Sequence, residues 1–197
     1  TGNSLRDMHA FKNNGRAFVS ILTDKQHQII DLTKRKVVLK QNADTSYVFR
    51  GNSSFSVAVK VQKNTATVLS MDGQKQFQVA SGVIGFGTYM QASTPIIVFK
   101  RGSALYAYNI KGERKWEKTI DALELSQFKS FQNPNNQTII GILDAIGNQI
   151  HLLDDLGRHL DKEKRHGAKE VQLSAFGNSA YSITTYLGNY MIQYTKQ

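Results

Sequence analysis

Seven side chains able to carry a proton or ligate a metal fall within sixteen residues: His151, Asp154, Asp155, His159, Asp161, Glu163 and His166. A bound zinc would need nitrogen and oxygen ligands converging at about 2.0–2.2 Å. Spacings that achieve this locally, H-E-x-x-H or a D-x-D-x-D-G calcium loop, are missing from the stretch. Asp154-Asp155-Leu156-Gly157 reads more simply as a turn, and 161–169 as an exposed charged loop, so no metal site is predicted.

The remaining chemical patterns fail in similar ways. Gly85 and Gly87 form a G-x-G without a third glycine or a following helix, which is no phosphate loop. They are expected instead within a strand where another group approaches the backbone closely. No serine occupies a G-x-S-x-G elbow, and the absence of cysteine removes disulfides, thiolate metal sites and thiol nucleophiles together. A carboxylate pair for glycoside hydrolysis depends on spatial separation, and nothing in the spacing nominates one. No catalytic residue is assigned, and no binding residue can be singled out.

Aromatic side chains are the other binding-type feature. Phe86, Tyr89, Tyr106, Tyr108, Trp116, Tyr181, Tyr186, Tyr190 and Tyr194 all fall on predicted strands or their ends, where packing between sheets is the expected role. The net charge of +10 gathers partly in turns: Lys34, Arg35 and Lys36, Lys75, Lys111, Arg114 and Lys115, and Arg158. Asp31, Asp72, Glu113, Glu117, Asp154 and Asp155 lie close by, so these read as solvated turns. A surface for an anionic glycan, lipid or nucleic acid is the alternative. Nucleic acid is not expected, because no RNP strand, helix-turn-helix or zinc-finger pattern is present.

These residues must be positioned by a repeat. Turns at Lys34, Gly73, Gly112, Gly157 and, by extrapolation, Gln197 are spaced 39, 39, 45 and 40 residues apart. Three residues before the first four stand Asp31, Ser70, Asn109 and Asp154, types that bond back to local backbone. Ile29, Val68, Ala107, Leu152 and Ile192 occupy one apolar phase, with His27, Ala66, Leu105, Ile150 and Tyr190 two residues earlier on the same face. Upstream partner strands run over 18–22, 55–61, 96–99, 139–143 and 181–186, joined through tight tips such as Arg101-Gly102-Ser103 and Leu187-Gly188-Asn189. Third strands follow the turns at 37–39, 76–79, 115–118 and, weakly, 159–161. Fourth strands are placed at 47–50, 84–90, 127–131 and 171–176. A strand-rich period near 40 residues marks blade-type β architecture.

The expected fold is therefore all-β, a β-propeller or propeller-like array of about five blades of antiparallel sheet over residues 16–197. Thr1–Gly15 is expected to be a connector or an outer strand that latches beside the C-terminal strand. The chain opens at Thr1 rather than Met, as a processed or truncated piece would. No run approaches the ~18 apolar residues of a membrane span.

Ala104-Leu105-Tyr106-Ala107-Tyr108-Asn109-Ile110-Lys111-Gly112-Glu113-Arg114-Lys115-Trp116-Glu117 resembles the blade motif of quinoprotein-like (PQQ-type) propellers, which runs from an apolar strand through a Gly turn to a Trp. Gly73 with Phe77 and Gly157 with Leu160 keep the skeleton without the Trp. Ile150–Asp154 and Tyr186–Tyr190 are also similar to C-terminal propeller regions of large bacterial cell-envelope proteins. The resemblance implies an envelope location and a piece of a longer parent, and it implies no activity and no cofactor. The expected function is a non-catalytic binding or scaffolding module for a protein or glycan partner. The alternative is a glycan-active hydrolase or lyase with carboxylates at a channel mouth. A third class is an assembly protein whose sheet edges pair with another chain.

Overall fold

Alternation of apolar and polar side chains becomes hydrogen-bond register in a computed structural model describing residues 4–13, 15–42, 46–50, 56–62, 65–69, 75–79, 82–92, 94–133, 135–160, 165–176 and 180–196. The strands form five antiparallel sheets in chain order. The first holds β1 (Leu5–Asn13), β2 (Arg16–Thr23), β3 (Gln26–Asp31) and β4 (Lys36–Asn42). The second holds β5 (Ser46–Arg50), β6 (Ser56–Gln62), β7 (Thr65–Leu69) and β8 (Lys75–Val79). The third holds β9 (Ile84–Gln91), β10 (Thr94–Arg101), β11 (Ala104–Asn109) and β12 (Arg114–Thr119). The fourth holds β13 (Leu125–Gln132), β14 (Thr138–Asp144), β15 (Gln149–Asp154) and the short β16 (Arg165–His166). The fifth holds β17 (Val171–Phe176), β18 (Ala180–Leu187) and β19 (Tyr190–Lys196). The fold is all-β and propeller-like.

The chain divides into two compact units, 1–85 with 110–112, and 86–109 with 113–197. In the first unit, one face of the first sheet buries Phe11, Phe18, Ile29 and Leu39, with the Phe11 and Phe18 rings stacked at 5.4 Å. Ala66, Val68 and Val79 are buried in the second sheet. In the second unit, the third sheet's Ile96, Val98, Leu105, Ala107 and Trp116 pack against Ile140, Ile142 and Leu153 of the fourth. The opposite face of the fourth sheet, with Ile139, Leu143, Ile150 and Leu152, packs against Val171, Tyr181 and Ile183 of the fifth. β14 is buried at every position because successive residues feed two different cores.

Several expectations change. The strands read as fourth members each open the following sheet: β5, β9, β13 and β17 hydrogen-bond to the strand after them. Leu5–Asn13 is the same element in the first sheet, paired along β2 from Leu5↔Thr23 to Asn13↔Arg16. The weak third strand of the fourth copy is a single bridge, Leu153↔His159, and regular pairing resumes at β16. In the first copy the left-handed turn residue is Arg35 (φ 52°), one position beyond Lys34. Gly73 and Gln197 lie outside the described residues.

The fifth copy is displaced by one residue from its expected phase. Leu187 pairs with Tyr190 across a two-residue turn, as Arg101 pairs with Ala104. Met191 and Gln193 therefore hold the places of Leu105 and Ala107, and Tyr190 and Ile192 lie on the opposite face. A slip of one residue exchanges the two faces of a strand. Ile192 is accordingly half-buried, whereas Val68, Ala107 and Leu152 are buried as expected. A further regularity was not read from sequence: Leu39, Phe77 and Trp116 stand opposite Ile29, Val68 and Ala107, each beside a register shift of the bulge type.

Candidate functional site

The capping residues act first, because they shape the turns. Asp31 Oδ1 accepts hydrogen bonds from the backbone N–H groups of Thr33 and Lys34, both at 3.0 Å. Asp154 Oδ1 accepts from Leu156 and Arg158 at 2.9 and 2.8 Å, and Asn109 Oδ1 from Glu113 at 2.9 Å. The second carboxylate oxygens take Arg16 in the first turn and Arg158 Nε, at 2.7 Å, in the fourth. These acids are engaged as turn caps.

Trp116 locks the next turn. Its Nε1 donates to the Tyr89 hydroxyl at 2.7 Å and to the Asp155 carbonyl at 3.2 Å, while the Tyr89 hydroxyl donates to that carbonyl at 2.7 Å. Burial pushes the Tyr89 phenol well above its ordinary range; the Trp116 hydrogen bond offsets part of this, and the Asp155 and Asp154 charges add to the rise. It stays a neutral donor. Gly157 (φ +75°) fits under the indole, since a Cβ there would lie 2.8 Å from Trp116. Phe77 makes the same contact with Gly112 (φ +86°), at 2.9 Å. Docking of an aromatic onto the turn glycine thus holds for Phe77 as well as for Trp116.

The sequence candidates disperse. His151 and His159 are 6.3 Å apart between ring centroids, and His166 is exposed with its backbone hydrogen-bonded to the Tyr194 hydroxyl. Asp161 and Glu163 lie outside the described residues, and among the described residues no three potential ligands converge on a metal position. Gly87 accommodates the Phe128 ring, which a Cβ would displace, as expected of a strand glycine under close approach. Tyr89, Tyr106, Trp116 and Tyr181 are buried; Phe86, Tyr108, Tyr186 and Tyr194 are half-buried; Tyr190 is 79% exposed. Lys34, Lys111 and Arg158 are exposed, and the Lys75 side chain is outside the described set. In the second unit, Arg114, Lys115 and Arg158 pair with Glu117, Glu113 and Asp154 at 2.7, 3.2 and 2.7 Å.

A different surface comes together at one end of the second unit. The β10–β11 turn, the 120–125 connector, the β14–β15 turn, the 166–170 connector and the β18–β19 hairpin are linked in series. Ile120 N–H donates to the Ser103 carbonyl at 3.0 Å. Asp144 then gathers three backbone donors: Glu124 at 2.8 Å, Leu123 at 2.9 Å and Gly147 at 3.0 Å. Gly167 donates to Asn148 and Ala168 to Tyr186, at 3.0 and 2.8 Å. Burial alone would raise the Asp144 carboxyl; the donors from Glu124, Gly147 and Leu123, helped by the His151 charge, hold it below its ordinary value. On this network Leu123 (74% exposed), Ile146 (59%), Leu187 (38%) and Tyr190 project into solvent. Sequence reading missed Leu123 and Ile146, because single apolar residues in connectors carry no periodicity. Asp144, a short polar residue ahead of a Gly-Asn turn, was the available signal.

No family model matches the chain, and no curated protein does. Solved structures do. BBS1N, in its complex with ARL6DN, aligns over 98% of this chain at 9% identity and a TM-score of 0.63. The WD40 domain of SCAP from fission yeast aligns over 98% at 9% identity and a TM-score of 0.54. BamB from Moraxella catarrhalis aligns over 95% at 15% identity and a TM-score of 0.50. The chain spans 65%, 56% and 58% of those three structures. At such identities the likeness is one of fold, and it agrees with the propeller-like sheets.

Proposed function

We propose that this protein is a non-catalytic docking module that holds a protein partner at the Leu123–Ile146–Leu187–Tyr190 end of its second unit. The observation that carries this reading is four exposed apolar side chains on segments joined by the Asp144 hydrogen bonds and by those of Gly167 to Asn148 and Ala168 to Tyr186. Interfaces draw their energy from a few such anchors, Tyr prominent among them, and rigid placement lowers the entropy lost on binding. BBS1N, similar in fold, was solved bound to ARL6DN, which supports protein docking as a use of this architecture. An envelope location belongs to the same proposal and rests on the resemblance of 150–154 and 186–190 to bacterial envelope propellers.

The test is capture with immobilised protein, comparing wild type with a Leu123→Glu/Ile146→Glu/Tyr190→Glu variant checked for an unchanged thermal midpoint. The proteins retained by wild type are expected to fall roughly tenfold or more with the variant, since anchor truncations commonly cost ~1–2 kcal/mol each. Equal retention by both would overturn the reading.

A further inference from the structure

The first sheet has a second face that its core does not use. Register places Met8, Ile21 and Gln28 in one row of that face, and Ala10, Val19, Ile30 and Val37 in the next. The central Val19, Ile21 and Ile30 are half-buried, while Met8 and Val37 are exposed at 58% and 44%. Lys12, opposite Ala17, and Lys40, opposite Gln28, border the same face and are exposed. Val37 follows directly on the exposed turn Lys34-Arg35-Lys36, beside exposed Leu32.

The charge is one-sided. None of the residues at these register positions is acidic. Asp31 belongs to the opposite face, where it pairs with Arg16, and Asp24 caps the other end of the sheet through the Ser4 N–H. In the second unit, by contrast, Arg114, Lys115 and Arg158 have carboxylate partners.

We infer that this face docks on an anionic lipid surface, with Met8, Leu32 and Val37 entering the headgroup boundary while Lys12, Lys34, Arg35 and Lys40 meet lipid phosphates. A flat aliphatic patch bordered by lysines fits a bilayer better than a protein interface, where Lys is depleted and aromatic anchors are enriched. A second copy of this face is disfavoured because the two cationic borders would meet. The inference is independent of the docking role assigned to the second unit. It also requires no spanning segment; among the described residues no helix is long and apolar enough to cross a membrane.

The experiment is cosedimentation of the full chain with phosphatidylcholine vesicles that lack, or contain about one-third, phosphatidylglycerol. Binding is expected only with the anionic lipid, weakening as salt rises, because screening acts over about 8 Å at physiological ionic strength. Lys34→Gln/Arg35→Gln is expected to lower partitioning roughly 25-fold, at about fivefold per cation near the surface. Met8→Gln/Val37→Gln, which keeps every charge, is expected to lower it roughly tenfold. Equal sedimentation with both vesicle types would overturn the inference. So would loss in the charge variant alone, which would leave a polyanion site without apolar docking. Retention on immobilised polyglutamate with no vesicle binding would give the face to an acidic protein instead and overturn the lipid assignment.

Discussion

The first and fifth sheets share the hairpin plan of the repeat yet present opposite chemistry on their less buried faces. The first shows Met8, Val19, Ile21, Ile30 and Val37 among lysines. The fifth shows Thr184, Gln193 and Thr195, with Gln193 Nε2 donating to the Oγ of buried Ser182 at 2.8 Å across the strands. Met191, 65% exposed, and half-buried Tyr186 interrupt that polar surface. Gln193 stands where the third sheet has buried Ala107. The difference teaches that topology and surface are separable in a stacked repeat. A copy can keep its strand pairing while polar residues at alternate positions change the character of one of its faces.

The largest expected effect tests the register on which this contrast rests. Leu152→Ala in the fourth-sheet core should cost roughly 2–5 kcal/mol in chemical denaturation. Ile192→Ala, at the position that simple counting equates with Leu152, should cost about 1 kcal/mol, because half-buried side chains lose less. Equal costs would restore the fifth copy to the phase of the others and remove the contrast.

Next comes aromatic docking on the turn glycines. Gly157→Ala meets both a left-handed backbone and the Trp116 ring, whereas a Cβ at Gly188 (φ +62°) would meet nothing within 4 Å. Gly188→Ala should cost about 1–2 kcal/mol for the backbone alone. Gly157→Ala should exceed it by roughly another 1–3 kcal/mol of overpacking. Thermal or urea unfolding of the pair isolates the indole contact, and equal losses would deny it.

Asp144→Asn should cost about 1–3 kcal/mol at neutral pH by weakening three charge-assisted hydrogen bonds. Because the folded carboxyl sits below its ordinary value of 3.8, its contribution is present above that value and is lost as pH falls through the lower, folded one. The gap between wild type and variant should therefore close in acid; a gap that persists there would assign the loss to packing. The smallest effect is expected on the polar face of the fifth sheet. Gln193→Val should cost about 0.5–1 kcal/mol through the lost hydrogen bond to Ser182 yet increase self-association by light scattering, since it converts a polar face towards the character of the first sheet.

Local chemistry was legible because it depends on neighbours in the chain. The period, the hairpin tips, the capping Asp31, Asn109 and Asp154, and the apolar phase through Val68, Ala107 and Leu152 all follow from turn chemistry and alternation along a strand. The strand, Gly turn and Trp around Trp116 likewise pointed to aromatic packing at a turn, and the indole lies on the turn glycine of the following copy, Gly157. Sheet membership was not legible. Whether 47–50 closes one sheet or opens the next depends on which distant backbone it bonds, and both placements obey the same alternation. The phase of the fifth copy failed for a related reason: counting from an extrapolated turn carries an error of one residue, and the period of two makes that error decisive. Residues in connectors were the least visible. Leu123 and Ile146 gain meaning only because Asp144 draws 123–124 and 147 onto one carboxylate, an association between segments some twenty residues apart. By itself the sequence determined where strands and turns lie, since backbone geometry and short-range hydrogen bonding decide that. The tertiary structure decided which strands share a sheet and which apolar groups stay in solvent, since both depend on contacts between residues distant along the chain.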